Sequence, residues 1–177
     1  MRTLKLAVLV LALTSPLPAA ELESRVLTHY LPQDFLESAV RTEAWTELSL
    51  KVNGGLRKGD VVRVWAGGSI DRGNGDQPGQ NVSGPAGPGT ECAANAALAR
   101  EAEYAFALLF KTEQPALHRA PAAGKPLELK IARDGEKVWL GFNDERGRYN
   151  DNHLGRGRRH EFDPLWVRIE VVRIIVD

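Results

Sequence analysis

The stretch that decides the fold is Leu127-Glu-Leu-Lys-Ile-Ala-Arg-Asp-Gly-Glu-Lys-Val-Trp-Leu-Gly-Phe142. Leu127, Leu129 and Ile131 alternate with Glu128 and Lys130, the period-two pattern of a half-buried strand. The pattern stops at Ala132-Arg133. Asp134-Gly135 is the dipeptide favoured in two-residue hairpins, and Val138, Leu140 and Phe142 then share one face of a return strand. Two antiparallel strands are predicted here, each with one apolar face that needs cover.

The same period recurs on both sides. Leu48, Leu50 and Val52 alternate with Glu47, Ser49 and Lys51, so a strand is expected there. Asn53-Gly54-Gly55 and Lys58-Gly59-Asp60 are turn chemistry, and Val61 to Ala66 reads as the next strand. Ala93 to Ala102 is alanine-rich and reads as a short helix leading into the apolar run Tyr104 to Phe110. At the C-terminal end Val167, Ile169 and Val171 alternate with Arg168 and Glu170. The phase then slips at Val172-Arg173-Ile174, for which a bulge near Val171–Val172 is expected. Two long polar loops, Gly67 to Gly89 and Asn143 to Asp163, interrupt the series, and loops of that length in a compact domain are usually functional or mobile. Short strands, long loops and no βαβ rhythm predict an all-β, antiparallel β-sandwich.

The N-terminal part differs. Residues 1–20 read as a secretory signal peptide: Arg2 and Lys5, then the apolar Leu6 to Leu13, then a small-residue exit from Pro16 to Ala20. The apolar stretch is too short to span a bilayer. A secreted or periplasmic location follows. Residues 21–44 carry Val26, Leu27, Tyr30, Leu31, Phe35, Leu36 and Val40 near helical spacing, broken at Pro32, and are expected to form an N-terminal arm or short helices. The body is assigned to residues 45–177.

The full chain has 23 basic and 23 acidic residues, and loss of residues 1–20 removes two basic ones and no acidic one. The mature balance is slightly acidic, which gives no overall attraction to nucleic acid or to an anionic membrane. The single Cys92 permits no internal disulfide.

Chemistry is concentrated after Phe142, where Asn143, Asp144, Glu145, Asn150, Asp151 and Asn152 crowd one turn-rich loop. Calcium takes six to eight oxygen ligands, and such a loop offers carboxylates, amides and backbone carbonyls. The spacing is not that of an EF-hand. On composition alone a solvated turn and a calcium loop both remain open.

From about Trp45 to Val176 the chain resembles the calcium-dependent galactophilic bacterial lectins of the LecA type. The resemblance rests on Lys58-Gly59-Asp60 before a strand ending in Ala66-Gly67, on Gly84-Pro85-Ala86-Gly87, on Ala107-Leu108-Leu109-Phe110-Lys111, and on Phe142-Asn143-Asp144 followed by Asp151-Asn152. It implies a jelly-roll, galactose-binding-like sandwich that binds carbohydrate through Ca2+. It makes the side chains of Asp144, Asp151 and Asn152 metal ligands, with backbone carbonyls from Arg148 and from near Asp71. Sugar hydroxyls would complete the metal shell, so Asp144, Arg148, Asp151 and Asn152 would also touch the sugar, with Glu91 beside them. The chain departs from the pattern in having Asp151 for an asparagine, Arg148 for a small hydroxyl residue, and Glu91 about where a histidine is usual.

Arg146, Arg148, Arg156, Arg158, Arg159 and His160 make the same loop locally basic, either as a solvated surface with scattered ion pairs or as a rim for acidic glycans. His29, His118, His153 and His160 show no metal-binding spacing, and Ser69 and Ser83 lack a nucleophile-elbow context. Trp65 and Trp139 sit in strands, where core packing is expected and sugar stacking is the alternative. The reading is therefore an exported, non-enzymatic calcium-dependent lectin, with galactosides or acidic glycans as ligands and a possible homo-oligomeric state. The alternative is a structural or protein-interaction module of the same fold without sugar binding.

Overall fold

The computed structural model describes residues 22–72, 82–88, 96–100, 104–121, 124–154 and 163–176, with the backbone alone at 22–25 and 175–176. The expected signal peptide, Glu91, Cys92, Arg156, Arg158, Arg159 and His160 lie outside the described residues. Among the described residues no helix is long and apolar enough to cross a membrane.

The protein is all-β, with one α-helix and only antiparallel strand pairings among the described residues. One sheet has the order β1(Leu22–Tyr30), β11(Trp166–Val176), β3(Val61–Gly67), β8(Leu127–Lys130). A second has the order β2(Thr46–Glu47), β9(Val138–Phe142), β6(Leu108–Thr112), β7(Leu117–Arg119). A small third sheet joins β10(His153–Leu154), β4(Ile70–Asp71) and β5(Val82–Ser83).

The first two sheets form a sandwich because each turns an apolar face inward. Val62 and Val64 of β3, Ile169 and Val171 of β11 and Leu129 of β8 meet Leu108, Phe110, Leu140 and Phe142 of the facing sheet in one continuous cluster. Each such side chain contributes about 1.5–3 kcal/mol by leaving water. The second sheet is also covered outside: Leu109 packs with Ala99 and Ala107, flanked by Trp45, Leu98, Tyr104 and Leu117.

Several expectations need correction. The segment expected as an arm or short helices begins with β1, paired along its whole length with β11, Leu22 opposite Val176 and Tyr30 opposite Arg168. The helical spacing misleads because Val26 and Tyr30 are outward residues of a strand, 49 % and 69 % exposed. Only the second half is helical, as α1(Gln33–Val40), which starts after Pro32 and buries Leu36, Ala39 and Val40.

The Asp134-Gly135 turn does not make a hairpin. β8 pairs with β3 and β9 with β6 and β2, so this turn carries the chain from one sheet to the other. The buried carboxylate of Glu136 holds the turn by accepting the N–H groups of Ala132 (2.6 Å) and Arg133 (3.3 Å). Residues 48–52 are not a strand. Leu50 N–H bonds to Leu48 C=O and Val52 N–H to Leu50 C=O, both at 2.9 Å, so successive three-residue turns keep the in–out alternation without a ladder.

No bulge interrupts β11, whose register runs unbroken against both β1 and β3. Arg173 instead keeps the inward phase and meets a buried carboxylate, that of Asp60. In the alanine-rich segment, residues 96–100 are not helical; Ala96 bridges Glu145 and the N–H of Ala97 bonds to Asp144 C=O at 3.1 Å.

Between β3 and β4, Gly68 has φ of +77°, and a Cβ there would run into the carbonyl of Pro164 and sit 3.0 Å from Leu165 Cα. Gly68→Ala is expected to lower the unfolding free energy by at least about 2 kcal/mol, from backbone strain plus overlap with a rigid neighbour. A urea midpoint unchanged from wild type would contradict the tight crossing of these two segments.

Candidate functional site

The loop from Asn143 to Asn152 leaves the C-terminal end of β9 and returns as β10. Asn143 opens it fully buried, and its side chain is already committed. Its Oδ1 accepts the N–H groups of Leu98 and Ala99 (both 3.1 Å), and its Nδ2 donates to the carbonyls of Ala99 and Tyr104 (both 2.9 Å). That exhausts the amide, so Asn143 is a structural clamp and not a ligand. Phe106, with a left-handed φ of 52°, turns its N–H onto the Asn143 carbonyl at 2.8 Å and closes the same clamp.

Asp144 is 2 % exposed. Its Oδ1 accepts the N–H of Glu145 at 2.6 Å, whereas its Oδ2 is buried without a hydrogen-bond partner. Tyr149 locks the backbone behind it, the phenol accepting the N–H of Asp144 (3.0 Å) and donating to its carbonyl (3.2 Å). Burial holds that phenol protonated far above its ordinary range. Burial likewise pushes the Asp144 carboxyl above its ordinary value. The Glu145 N–H and the Asn152 amide offset this in part, and the charges of Asp151 and Glu145 add to it.

A short 3₁₀ turn, Tyr149–Asp151, brings the next two residues round. Asp151 Oδ1 and Asn152 Oδ1 are also buried without a hydrogen-bond partner. The Asn152 amide is oriented from the other side, its Nδ2 donating to the carbonyl of Val40 at 2.8 Å. Asp71, in β4, stands opposite His153, the residue after Asn152, and is itself buried. The third sheet thus delivers the first polar loop to the second.

Arg148 lies in the same turn. Its carbonyl accepts the Asp151 N–H at 3.4 Å, which leaves one lone pair, and its side chain is half-exposed and ion-paired with Glu145 at 3.1 Å. Of the basic residues in this loop, Arg146 and Arg148 are within the described residues.

Helix α1 and the turn after it brace the loop. Arg41 Nη2 donates to Asn150 C=O (2.8 Å), Glu43 Oε1 accepts the N–H of Gly147 (2.5 Å), and Glu37 Oε2 accepts that of Leu154 (3.1 Å). These supports escape sequence reading because they join segments more than a hundred residues apart.

The donors gathered here are two carboxylates, one amide oxygen and backbone carbonyls, a hard all-oxygen set suited to calcium and not to zinc. Among the described residues no group of three or more His, Cys, Asp or Glu is gathered as a metal cluster. The fit to a cation rests instead on the three unpaired oxygens of Asp144, Asp151 and Asn152.

The tryptophans depart from the expected core packing. Trp65 and Trp139 are half-buried on outer sheet faces. Arg168 lies 4.1 Å from the Trp65 ring, and Lys111 lies 5.6 Å from Trp139 and 4.4 Å from Trp45. Each platform is shared with a cation.

Comparison with family models and with curated proteins returned no match for this chain. Among solved structures it is similar to one described as the EclA N-terminal domain, a PllA-like lectin. The match has 16 % identity over 86 % of this chain and 97 % of that one, with a TM-score of 0.39.

Proposed function

We propose that the protein is an exported, calcium-dependent carbohydrate-binding module. The side chains of Asp144, Asp151 and Asn152 hold the cation, and backbone carbonyls of Arg148 and of the segment at Asp71 complete its protein ligands. The observation that carries the reading is the trio of buried oxygens, Asp144 Oδ2, Asp151 Oδ1 and Asn152 Oδ1, without hydrogen-bond partners in one loop. Buried acceptors in this state are costly, at about 1–3 kcal/mol each and more for charged groups. A divalent cation offsets that cost and the repulsion between the two carboxylates. The carbohydrate follows from the sequence resemblance: vicinal hydroxyls are weak ligands that a cation polarises. The paired side chain of Arg148 stands at the rim, where an acidic sugar would compete with Glu145 for it.

Calcium titration of thermal stability tests the site. At a hundredfold excess over its dissociation constant, calcium should add about 2.7 kcal/mol. For a chain of this size that raises Tm by about 5–11 °C. A chelator should reverse the shift and Asp144→Asn should remove it. No shift at millimolar calcium overturns the metal and most of the lectin reading. A glycan array with and without chelator then separates a sugar binder from a module of the same fold that holds calcium without sugar.

A further inference from the structure

A second site lies at the opposite end of the sandwich. β3 runs from Val61 beside Asp60 to Gly67 and on toward Asp71, about 23 Å for seven extended residues, so Asp60 and the Asp144 loop mark opposite ends. At the Asp60 end a cavity of about 320 Å³ opens between the β1–β11 pair and the irregular segment after β2. Its floor is aliphatic: Leu27 and Val171, which face each other across the β1–β11 pair, and Val52. Its rim is cationic: Lys51, Arg57 and Arg173.

The nearest fixed negative charge, Asp60, does not line the cavity. It is buried behind Arg173 and orients it, accepting from Nε at 2.9 Å and from Nη2 at 2.7 Å, while Nη2 also donates to Gly55 C=O at 2.8 Å. Nη1 is left with no hydrogen bond among the described residues, on a guanidinium whose other edge is fixed. Lys51 likewise has no ion pair or hydrogen bond among the described residues. Among the described residues the three cations of the rim outnumber the two carboxylates that act on Arg173, those of Asp60 and Asp134, so the mouth carries a positive field that low-dielectric walls concentrate.

We propose that this cavity binds a small amphipathic carboxylate. The head group lies among Lys51, Arg57 and the Nη1 edge of Arg173, and the hydrocarbon body lies on Leu27, Val52 and Val171. The free Nη1 N–H groups give a carboxylate oxygen a charge-assisted hydrogen bond from a guanidinium already held in place. The volume, near the lower bound for small-molecule pockets, sets the size of the ligand. An inorganic anion would gain nothing from the floor, and a neutral alcohol nothing from the rim.

Calorimetric titration of the full chain with octanoate, acetate and octanol tests this. Octanoate is expected to bind at least tenfold more tightly than either control, and equally well with calcium or with chelator. Lys51 and Arg57 are exposed, so the double variant Lys51→Gln/Arg57→Gln should keep the far-UV spectrum of the folded protein and weaken octanoate at least tenfold. Val52→Asn should weaken octanoate and leave acetate unchanged. Octanol binding as tightly as octanoate, acetate binding as tightly, undiminished affinity in the double variant, or no octanoate binding at millimolar concentration would each overturn the proposal.

Discussion

Replacing Asp60 by asparagine should lower the unfolding free energy by about 3–5 kcal/mol, the usual cost of removing one partner from a buried ion pair. For a domain of this size that is a fall in Tm of about 6–20 °C. Asp60 is 2 % exposed and the side chain of Arg173 only 18 %, so water does little to replace the lost bonds. Both carboxylate oxygens are used, one by Arg173 and the other by Arg173 and the Arg57 N–H. An amide in the same place turns an NH₂ toward a guanidinium, donor against donor.

The pair also sets a pH dependence. Burial alone would raise the Asp60 carboxyl, but the Arg173 hydrogen bonds, the Arg57 N–H and the two guanidinium charges outweigh it, and the net shift is downward from 3.8. A depressed acid contributes its stability in full above its unfolded value and loses it as pH falls through its folded value. Urea unfolding of wild type and D60N should therefore differ most near neutrality and converge in strong acid. A difference that grew on acidification would show the pair to be unimportant. The companion variant Arg173→Met should be similarly damaging, and Asp60→Leu combined with Arg173→Met should recover part of the loss, since an apolar pair leaves no charge unpaired.

Asn143→Ala carries the second large effect. It strands two N–H groups, of Leu98 and Ala99, and two carbonyls, of Ala99 and Tyr104, around a side chain that is itself fully buried. The expected loss is about 3–4 kcal/mol. Hydrogen exchange distinguishes this from a general loss of stability. The amides of Leu98 and Ala99 should lose protection beyond the global change, while those of β3 and β11 follow global unfolding alone. Uniform loss across all of them would mean that Asn143 is ordinary core. Asn143→Asp should be no milder, because the second oxygen would face two carbonyl acceptors.

What could be read in advance divides along physical lines. β3 is legible almost to the residue, since the largely apolar run Val61 to Ala66 is bounded by glycine-rich turns; β8 and β9 are legible as strands from their alternation. Alternation tells which face a residue takes but says nothing about which strand lies alongside. That is why Asp134-Gly135 reads as a hairpin when the strands it joins belong to different sheets. β1 is obscured because its apolar Val26 and Tyr30 face outward, and the apparent slip in β11 is an arginine answered by a carboxylate 113 residues away. At the site, Asp144, Asp151 and Asn152 are legible because they are close in sequence. Asn143 looked like one more oxygen donor, and only its partners, at residues 98–104, show it to be a clamp.

The pairing of β1 with β11 also orders events in time. β11 is flanked by β1 on one side and β3 on the other, so it is the member that completes the sheet, and it is the last strand among the described residues. In any process that delivers the polypeptide N-terminus first, β1 waits without a neighbour until almost everything else has arrived. Contacts of such long sequence separation form slowly. The β1–β11 pairing is therefore expected to close the sheet late in folding.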